Sequence, residues 1–166
     1  MEYTSAGCIF TNGTHILGGY QPNKTAPCVS GIGGKRDDCE EFVQTALREM
    51  LEELFGIYDR PDFITALMAI PYDRLAISGD YVSLIYSFSS LEKIMAELVR
   101  LNAVSLLYNE MPLCLADLIL KRSNLIDSEI SHLCLLPVVR HPRGTPFIEN
   151  CFMKDIIGLA LHQRQP

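Results

Sequence analysis

The stretch from Gly34 to Gly56 constrains the fold of this chain most, because it specifies a helix together with both of its ends. Asp38 with Glu41 three residues later is an acidic variant of the capping box, and Gly56 suits the left-handed residue that ends many helices. A helix of about four turns fits between these ends. Its apolar positions form one broad stripe that can pack on a sheet: Phe42, Val43, Ala46, Leu47, Met50, Leu51 and Leu54.

The same helix carries three glutamates, Glu49, Glu52 and Glu53. Glu49 and Glu53 are one turn apart, so their carboxylates are neighbours. Like charges this close raise each other's pKa unless a cation lies between them. Carboxylate oxygens suit a hard divalent ion such as Mg²⁺, which keeps water that it can share with a phosphate. The alternative is an acidic helix face in solvent, which is the commoner origin of a Glu-rich segment.

The order of residues favours the first interpretation. The fixed positions are Gly34, Glu40 after five residues, Arg48 and Glu49 after seven more, and Glu52 with Glu53 after an apolar residue and a free position. This pattern resembles the Nudix box. In that box a single residue separates the paired glutamates from the final glycine, whereas two residues, Leu54 and Phe55, intervene here.

The resemblance implies an α/β fold, a Nudix-type α/β/α sandwich with a mixed central sheet, in which the box forms a loop, a helix and a loop. It also implies hydrolysis of a nucleoside diphosphate linkage by water, with Mg²⁺ or Mn²⁺ clamping the phosphate oxygens. The metal ligands carried over are Glu49, Glu53, Glu52 and the carbonyl of Gly33. The resemblance makes Glu53 or Glu52 the general base and gives Arg48 the role of orienting the carboxylates. Glu40 would secure the loop, and a purely structural role stays open for Arg48 and Glu40.

A second resemblance concerns the last third of the chain. The segment from Arg143 to Phe152 is similar to the stretch before the final helix in the U8 snoRNA-decapping branch of the Nudix family, which also hydrolyses inosine diphosphate-type nucleotides. The substrate-binding residues that this branch implies are Lys24, Gly31, Gly34, Lys35 and Glu149. Gly31 stands where that branch has an aromatic residue that stacks on the base.

The remaining patterns predict a single domain over residues 1–166 that mixes strands and helices. Asn12-Gly13 joins a β-hairpin of Ser5 to Thr11 and Thr14 to Tyr20. A strand at Cys28 to Ser30 runs into a glycine-rich segment, Gly31 to Gly34, which we interpret as a tight turn, a backbone approach to a ligand, or both. The later elements are a central strand at Phe63 to Tyr72, a loop at Asp73 to Gly79, a strand at Asp80 to Phe88 paired antiparallel with Phe63 to Tyr72, a helix from Ser89 or Ser90 to Arg100, a helix at Met111 to Lys121, a strand at Glu129 to Pro137 and a helix at Asn150 to Leu161.

Several further residues have weaker claims to function. Arg140, His141 and Arg143 form a small basic cluster that can meet a phosphate or RNA, although a solvated loop is the commoner explanation. Glu129 lies near the place where Nudix enzymes often have another carboxylate, and a capping role is equally consistent. The remaining candidates are Tyr72, Tyr81 and Phe147 as base-stacking rings, against which core packing is the alternative, and His15, His132 and His162, which we interpret as structural.

Composition limits the class of protein. The net charge of −6 and the sequence pI near 5.1 argue against an extended basic surface for nucleic acid. Six cysteines are scattered without a CxxC pair, which favours an intracellular, reducing compartment, cytoplasmic or nuclear. No segment resembles a signal peptide or reaches the roughly 18 apolar residues of a membrane span, so we expect no membrane partner. Both a monomer and a homodimer are compatible with the sequence.

The sequence therefore predicts a metal-dependent Nudix pyrophosphohydrolase whose substrate is capped RNA or a nucleotide. Removal of the 5′ cap of RNA is the leading hypothesis because of the C-terminal resemblance. The alternatives are a hydrolase of free inosine- or guanosine-type nucleotides, and a catalytically silent Nudix domain that senses nucleotide or RNA.

Overall fold

The computed structural model describes residues 3–125, 128–139 and 147–162. The strands within them are β1 (Ser5–Thr11), β2 (His15–Gln21), β3 (Cys28–Ser30), β4 (Ile32–Lys35), β5 (Arg74–Ser78), β6 (Tyr81–Ser87) and β7 (His132–Pro137). The helices are α1 (Phe42–Met50), α2 (Pro61–Leu67), α3 (Phe88–Arg100), α4 (Leu115–Leu120) and α5 (Asn150–His162), and a π turn (Leu51–Phe55) continues α1.

The strands form one mixed sheet in the order β3, β2, β1, β6, β5, with β4 also paired to β1 and β7 also paired to β2. β1 and β6 are parallel over their whole length, and the other pairs are antiparallel. The predicted hairpin of β1 and β2 is confirmed, with Thr11 opposite Ile16. The Asn12 side chain closes its turn by accepting the amides of Thr14 and His15.

Both faces of the sheet are covered by helices. Alternate β1 residues Ala6, Cys8 and Phe10 face the core that includes α1 and α3, whereas Ile9 faces the core built on α5. This alternation follows from the two-residue period of a strand buried on both sides. The α/β/α layering with a mixed sheet is therefore confirmed.

The predicted box helix is confirmed, and its apolar stripe lies in the core. Ala46, Leu47, Met50, Leu51 and Leu54 are at most 1% exposed. The predicted N-cap is wrong, because the helix begins after Glu41 rather than after Asp38. The backbone amide of Glu41 donates to the side-chain oxygen of Gln44 at 2.8 Å, which completes the cap three residues later than expected.

The end of the helix accounts for the extra residue that this chain has between the paired glutamates and the final glycine of the box. Leu51–Phe55 form a π turn, whose hydrogen-bonded ring holds one residue more than that of an α-helix. Gly56 then adopts the left-handed conformation, with φ of 61°, and its amide binds the carbonyls of Glu52 and Leu51. The predicted stop at Gly56 is confirmed, and the extra residue widens the last turn instead of displacing the exit.

The glycine-rich segment is a strand, so its interpretation as a tight turn is wrong. Gly33 and Gly34 lie in β4, opposite Gly7 and Ala6 of β1. Gly33 has a φ of 150°, and the hydroxyl of Tyr81 lies where a β-carbon at Gly33 or Gly7 would be. Glycine is needed here because two backbones and a tyrosine approach one another closely.

The predictions for residues 63–79 are wrong. Phe63 begins no strand; it lies in α2, where Pro61 occupies the first turn and Phe63 and Leu67 are buried one turn apart. The predicted loop contains β5, which is the antiparallel partner of β6. A short apolar run fits a buried helix as well as a buried strand, and only packing distinguishes the two.

The later elements agree in type and differ at their ends. α3 has its N-cap at Ser87, two residues before the first of the two expected serines, and Leu91, Ile94, Met95 and Leu98 are buried on one face. α4 begins at Leu115 rather than Met111, and β7 begins at His132 rather than Glu129. In α5 the buried positions are Phe152, Ile156 and Leu159, whereas Leu161 is 63% exposed.

Within residues 3–125, 128–139 and 147–162, no helix is long and apolar enough to cross a bilayer. Each of the six cysteines has a free thiol.

Candidate functional site

Arg48 connects the strand, the loop and the helix of the box. Its Nε donates to Glu40 Oε1 and its Nη1 donates to Glu49 Oε1, both at 2.8 Å. Its Nη2 donates to the carbonyl of Lys35 at 2.7 Å, and Nη1 lies 3.6 Å from Glu52 Oε1. A planar guanidinium that makes several charge-assisted bonds holds each partner in a defined direction. These contacts are the ones expected of a residue that orients carboxylates.

Glu40 fastens the loop to the helix. In addition to Arg48, its Oε2 accepts the hydroxyl of Thr45 at 2.8 Å and the amide of Asp37 at 3.1 Å. Burial alone would raise the pKa of Glu40, but the hydrogen bonds from Arg48, Thr45 and Asp37 lower it below its ordinary value. The loop is further held by the hydroxyl of Tyr3, which donates to the carbonyl of Glu40 at 2.5 Å.

Glu53 is the buried carboxylate of the box, with 7% of its surface exposed. It projects from the π turn toward β4, where its Oε2 accepts the amide of Gly33 at 2.7 Å. Burial raises its pKa well above the ordinary value, and the nearby charges of Glu129 and Glu49 add to that effect. The amide of Gly33 offsets only part of it.

The pKa values of the other two glutamates, Glu49 and Glu52, are also raised. Burial is the main cause that raises the pKa of Glu49, and Glu52 and Glu129 add to it against the opposing effect of Arg48. Burial also raises the pKa of Glu52. The negative charge gathered here is therefore only partly compensated by Arg48, and a cation would relieve it.

The three glutamates do not converge on one point. Among the described residues, no three His, Cys, Asp or Glu side chains have the arrangement of a metal site. The carboxylate oxygens of Glu49 and Glu53 are not brought together on one ion, because Glu49 is turned toward Arg48 and Glu53 toward Gly33. Glu53 binds the amide of Gly33, and the predicted role of the Gly33 carbonyl as a metal ligand stays a prediction. The donors nevertheless suit a hard divalent ion, since they are partly buried carboxylate oxygens with uncompensated charge.

A cavity of about 410 Å³ opens beside the box, and its lining includes every substrate residue that the resemblance implied. Those residues are Lys24, Gly31, Gly34, Lys35 and Glu149. The cavity is within the size range of small-molecule sites in proteins. Gly34 connects it to the box, because a β-carbon at Gly34 would lie 2.5 Å from the carboxylate of Glu49.

The far side of the cavity is formed by α5 and the residues before it. Lys24 Nζ is bound to Glu149 Oε1 at 2.8 Å, so the two predicted contacts form one ion pair across the opening. Gly31 lies against the ring of Phe152, which would be 3.1 Å from a β-carbon at Gly31. The ring next to Gly31 is therefore supplied by α5.

The weaker candidates divide between the cavity and elsewhere. Glu129 and Tyr81 line the cavity, and the Nε2 of Gln21 donates to Glu129 at 3.0 Å. Tyr72 packs edge-on against Tyr86 in the core, and Phe147 is 67% exposed. The other candidates are His15 and His132, both exposed, and Arg140, His141, Arg143 and the side chain of His162, which lie outside the described residues.

Sequence reasoning missed four residues around the site. Arg122 donates to the carbonyls of Leu54 and Glu53 at 2.8 and 2.7 Å and so binds the end of the π turn. Basic residues often satisfy the last carbonyls of a helix, but this one comes from a distant segment. The other three, Gln21, Ser30 and Asp155, line the cavity from separate elements, and no local spacing indicated them.

No family model and no curated protein sequence matches this chain. Among solved structures, a Nudix hydrolase from Nitrosomonas europaea is similar, with 13% identity over 99% of this chain and 92% of that one and a TM-score of 0.49. The bifunctional NMN adenylyltransferase/ADP ribose pyrophosphatase of Francisella tularensis, complexed with AMP and a Mn ion, has 12% identity over 98% of this chain and a TM-score of 0.44. This chain spans 42% of that longer protein. One of these similar structures is thus a Nudix hydrolase, and the other contains a pyrophosphatase of a nucleotide.

Proposed function

We propose that this protein is a divalent-metal-dependent Nudix pyrophosphohydrolase that cleaves a nucleoside diphosphate linkage. The observation that carries the proposal is the placement of Glu53 against Gly33 and of Glu49 against Gly34, since both glycines line the cavity. Arg48 binds Glu49 at this position. A solvated acidic face would leave these side chains in water, but the side chain of Glu49 is only 14% exposed and Glu53 is buried.

Glu49, Glu53 and Glu52 are the residues that would hold Mg²⁺ or Mn²⁺. The ion would supply charge neutralisation for the phosphate oxygens and a water of lowered pKa. Arg48 keeps Glu49 at the cavity edge and Glu40 keeps Arg48 in place, so the box is ordered before substrate arrives. Glu53 or Glu52 would accept the proton of the attacking water. Lys24, Lys35 and Lys154 are the cations of the cavity lining that would attract the anionic substrate.

Capped RNA is the substrate that we place first, following the resemblance of Arg143 to Phe152 to the decapping branch. Free guanosine- or inosine-type nucleotides are the alternative. The net charge of −6 favours the alternative, because a long RNA would gain little from the surface outside the cavity. Both kinds of substrate present a phosphoanhydride and a purine nucleoside to the site.

Hydrolysis assays with and without Mg²⁺ or Mn²⁺ test the proposal on cap-labelled RNA and on nucleoside diphosphates and triphosphates. Metal-dependent release of product is expected, and Glu53→Gln should reduce kcat/KM by about 100-fold or more while it keeps an oxygen for the amide of Gly33. Which substrate is cleaved distinguishes decapping from nucleotide hydrolysis.

Glu92→Gln is the matched control, because Glu92 is an exposed glutamate of α3 and lies outside the site. It should leave activity unchanged. If the wild-type protein binds nucleotide but hydrolyses none of the substrates, and Glu53→Gln behaves like Glu92→Gln, the protein is a silent Nudix domain and the proposed reaction is wrong. Millimolar Mg²⁺ should also raise the melting temperature of the wild type more than that of Glu53→Gln.

A further inference from the structure

The cavity contains polar groups that have no partner among the described residues. Gln21 Oε1 and Ser30 Oγ are buried and accept or donate no hydrogen bond within the described part of the chain. Both residues line the cavity and are only 4% and 3% exposed. The carboxylate of Asp155, also in the lining, makes no hydrogen bond or ion pair with any described residue. Buried polar groups are normally paired, so Gln21 and Ser30 indicate a ligand or ordered water, and the half-buried Asp155 lines the same cavity.

Asp155 occupies a defined place in this arrangement. It lies on α5, one turn beyond the buried ring of Phe152, and it also borders a second cavity of about 510 Å³ between α5 and strands β5 and β6. The linings of the two cavities also contain Glu149, Tyr81, Glu129, Asp80, Lys24, Lys35, Lys154 and Arg74. Lys24 is bound to Glu149, and none of the other three cations forms an ion pair with Asp155 in the described part of the chain.

An unpaired carboxylate in the cavity determines which part of a nucleotide can bind next to it. It repels the phosphates of a nucleotide, which must therefore lie toward Gly34, Lys35 and the box. The group that reaches Asp155 has to be a hydrogen-bond donor without negative charge, because an ionised carboxylate only accepts. In a nucleotide these donors are the N–H groups of the base and the hydroxyls of the ribose. Gln21 adds a second acceptor, since its nitrogen is committed to Glu129 and its oxygen is thus fixed as the free atom.

Among the common bases, guanine presents two adjacent N–H donors, N1–H and N2–H, on one edge. Adenine and cytosine place an acceptor beside their amino group, and uracil places its single N–H between two carbonyl oxygens. The two oxygens of a carboxylate match a pair of adjacent donors, as they do with the fork of arginine.

We propose that Asp155 is the specificity-determining residue of this cavity and that it binds the N1–H and N2–H edge of a guanine base, with the diphosphate directed toward the box. The assignment rests on the proposed function, since it places the base of the same substrate. It applies equally to capped RNA and to free guanine nucleotides. Gln21 Oε1 and Ser30 Oγ take the remaining donors and acceptors of the nucleoside.

Titration calorimetry without metal tests the inference separately from hydrolysis. The full chain is titrated with GMP, with IMP, which lacks the N2 amino group, and with 1-methyl-GMP, which lacks N1–H. The wild type should bind GMP at least about tenfold more tightly than either analogue, because a site built for a donor is left with an unpaired acceptor when the donor is missing. Equal affinity of the wild type for GMP and both analogues overturns the inference.

Asp155→Asn keeps the shape of the side chain and replaces one acceptor by a donor. It should lower the affinity for GMP about tenfold or more and reduce the ratio of GMP to IMP affinity to near one. Asp73→Asn is the matched control, because Asp73 is an exposed aspartate outside the cavity, and it should retain the wild-type ratio. An unchanged ratio in Asp155→Asn also overturns the inference.

The two proposals fail in different ways. Selective binding of GMP without hydrolysis of any diphosphate would leave the base assignment intact and remove the reaction. Metal-dependent hydrolysis with no discrimination between guanine and hypoxanthine would keep the reaction and remove the role of Asp155. A folding failure of Asp155→Asn does not affect the analogue series, which uses the wild-type protein.

Discussion

The two ends of the cavity differ in how completely their polar groups are paired. At the box end, Arg48 uses its guanidinium on Glu40, Glu49 and the carbonyl of Lys35. At the α5 end, Asp155 has no hydrogen-bond or ion-pair partner among the described residues, although it lines the same cavity as Gly34 and Lys35. One end is ordered by the protein itself, whereas the other is completed by what binds there.

This difference indicates a division of labour within one site. Chemistry at a phosphate is favoured by carboxylates whose positions are restricted in advance, because less reorganisation is then needed when the ion and the substrate bind. Recognition of a base needs groups that remain free for the ligand, and an unpaired carboxylate in a cavity has a cost in stability. Variants at the two ends should therefore change stability in opposite directions.

The largest effect is expected from Arg48→Ala. The variant leaves the carboxylates of Glu40 and Glu49 without their cation in a partly buried place, which should lower the free energy of unfolding by about 2 to 4 kcal/mol. Activity should fall by about 100-fold, the upper range for residues that orient metal ligands. Urea unfolding and kcat/KM measure the two effects.

Arg48→Lys tests whether charge alone is enough at this position. A lysine cannot reach Glu40, Glu49 and the carbonyl of Lys35 together, so it should recover only part of the lost stability and activity. Full recovery would show that the geometry of the guanidinium is not needed and would contradict the contrast between the two ends.

Asp155→Asn should have the opposite sign on stability. Burial, with a contribution from Glu149, raises the pKa of Asp155 to about 6, so the folded protein binds a proton more tightly than the unfolded chain does. Stability associated with this group is present below about pH 4 and is lost as the pH rises through 6. The variant lacks this loss, and at pH 7.5 it should be more stable than the wild type by about 1 to 2 kcal/mol, allowing for partial exposure.

Urea unfolding of Asp155→Asn and wild type at pH 4, 5, 6 and 7.5 measures this effect. The difference in unfolding free energy should grow with pH and nearly vanish at pH 4. A variant that is less stable than the wild type at every pH would mean that Asp155 has a structural partner, and the distinction between the two ends would no longer hold.

The sequence predicted the paired end of the site far better than the unpaired end. The box glutamates and Arg48 lie within a few residues of one another, and helical spacing alone brings Arg48, Glu49 and Glu52 to neighbouring positions. The buried face of α3 was predictable for the same reason. Helical spacing could not predict the direction of each carboxylate. Glu53, for example, binds the amide of Gly33 in β4, which lies twenty residues earlier in the chain.

The unpaired end is assembled from elements far apart in the chain. Gln21 and Ser30 come from the paired strands β2 and β3, and Asp155 comes from the last helix, so their proximity depends on the whole sheet. The wrong predictions also have a non-local cause. Residues 61–67 form a helix in which Phe63 and Leu67 are buried on one side. The carbonyls of Glu53 and Leu54 in the π turn are bound by Arg122, which comes from a distant segment of the chain.

Gly34→Ala should affect the box end without unfolding the protein. The new β-carbon would lie 2.5 Å from the carboxylate of Glu49, which is the flexible end of a side chain and can move. Stability should change by less than about 1 kcal/mol. The Mg²⁺ concentration needed for half of the thermal stabilisation should rise about tenfold, since Glu49 loses its orientation. An unchanged Mg²⁺ dependence would argue against Glu49 as a metal ligand.

The smallest effect is expected from Gly158→Ala, the matched glycine substitution at the other end. Gly158 lies inside α5, and a β-carbon there meets no atom within 4 Å. Alanine should raise the free energy of unfolding by about 0.5 to 1 kcal/mol, because it favours the helical state over the unfolded chain. Urea unfolding and GMP titration of this variant show whether the stability of α5 and binding at Asp155 are coupled. If the variant is more stable and its affinity for GMP is unchanged, the loss of stability at this end comes from the carboxylate of Asp155. If the affinity for GMP changes together with the stability, the loss comes from ordering the whole helix.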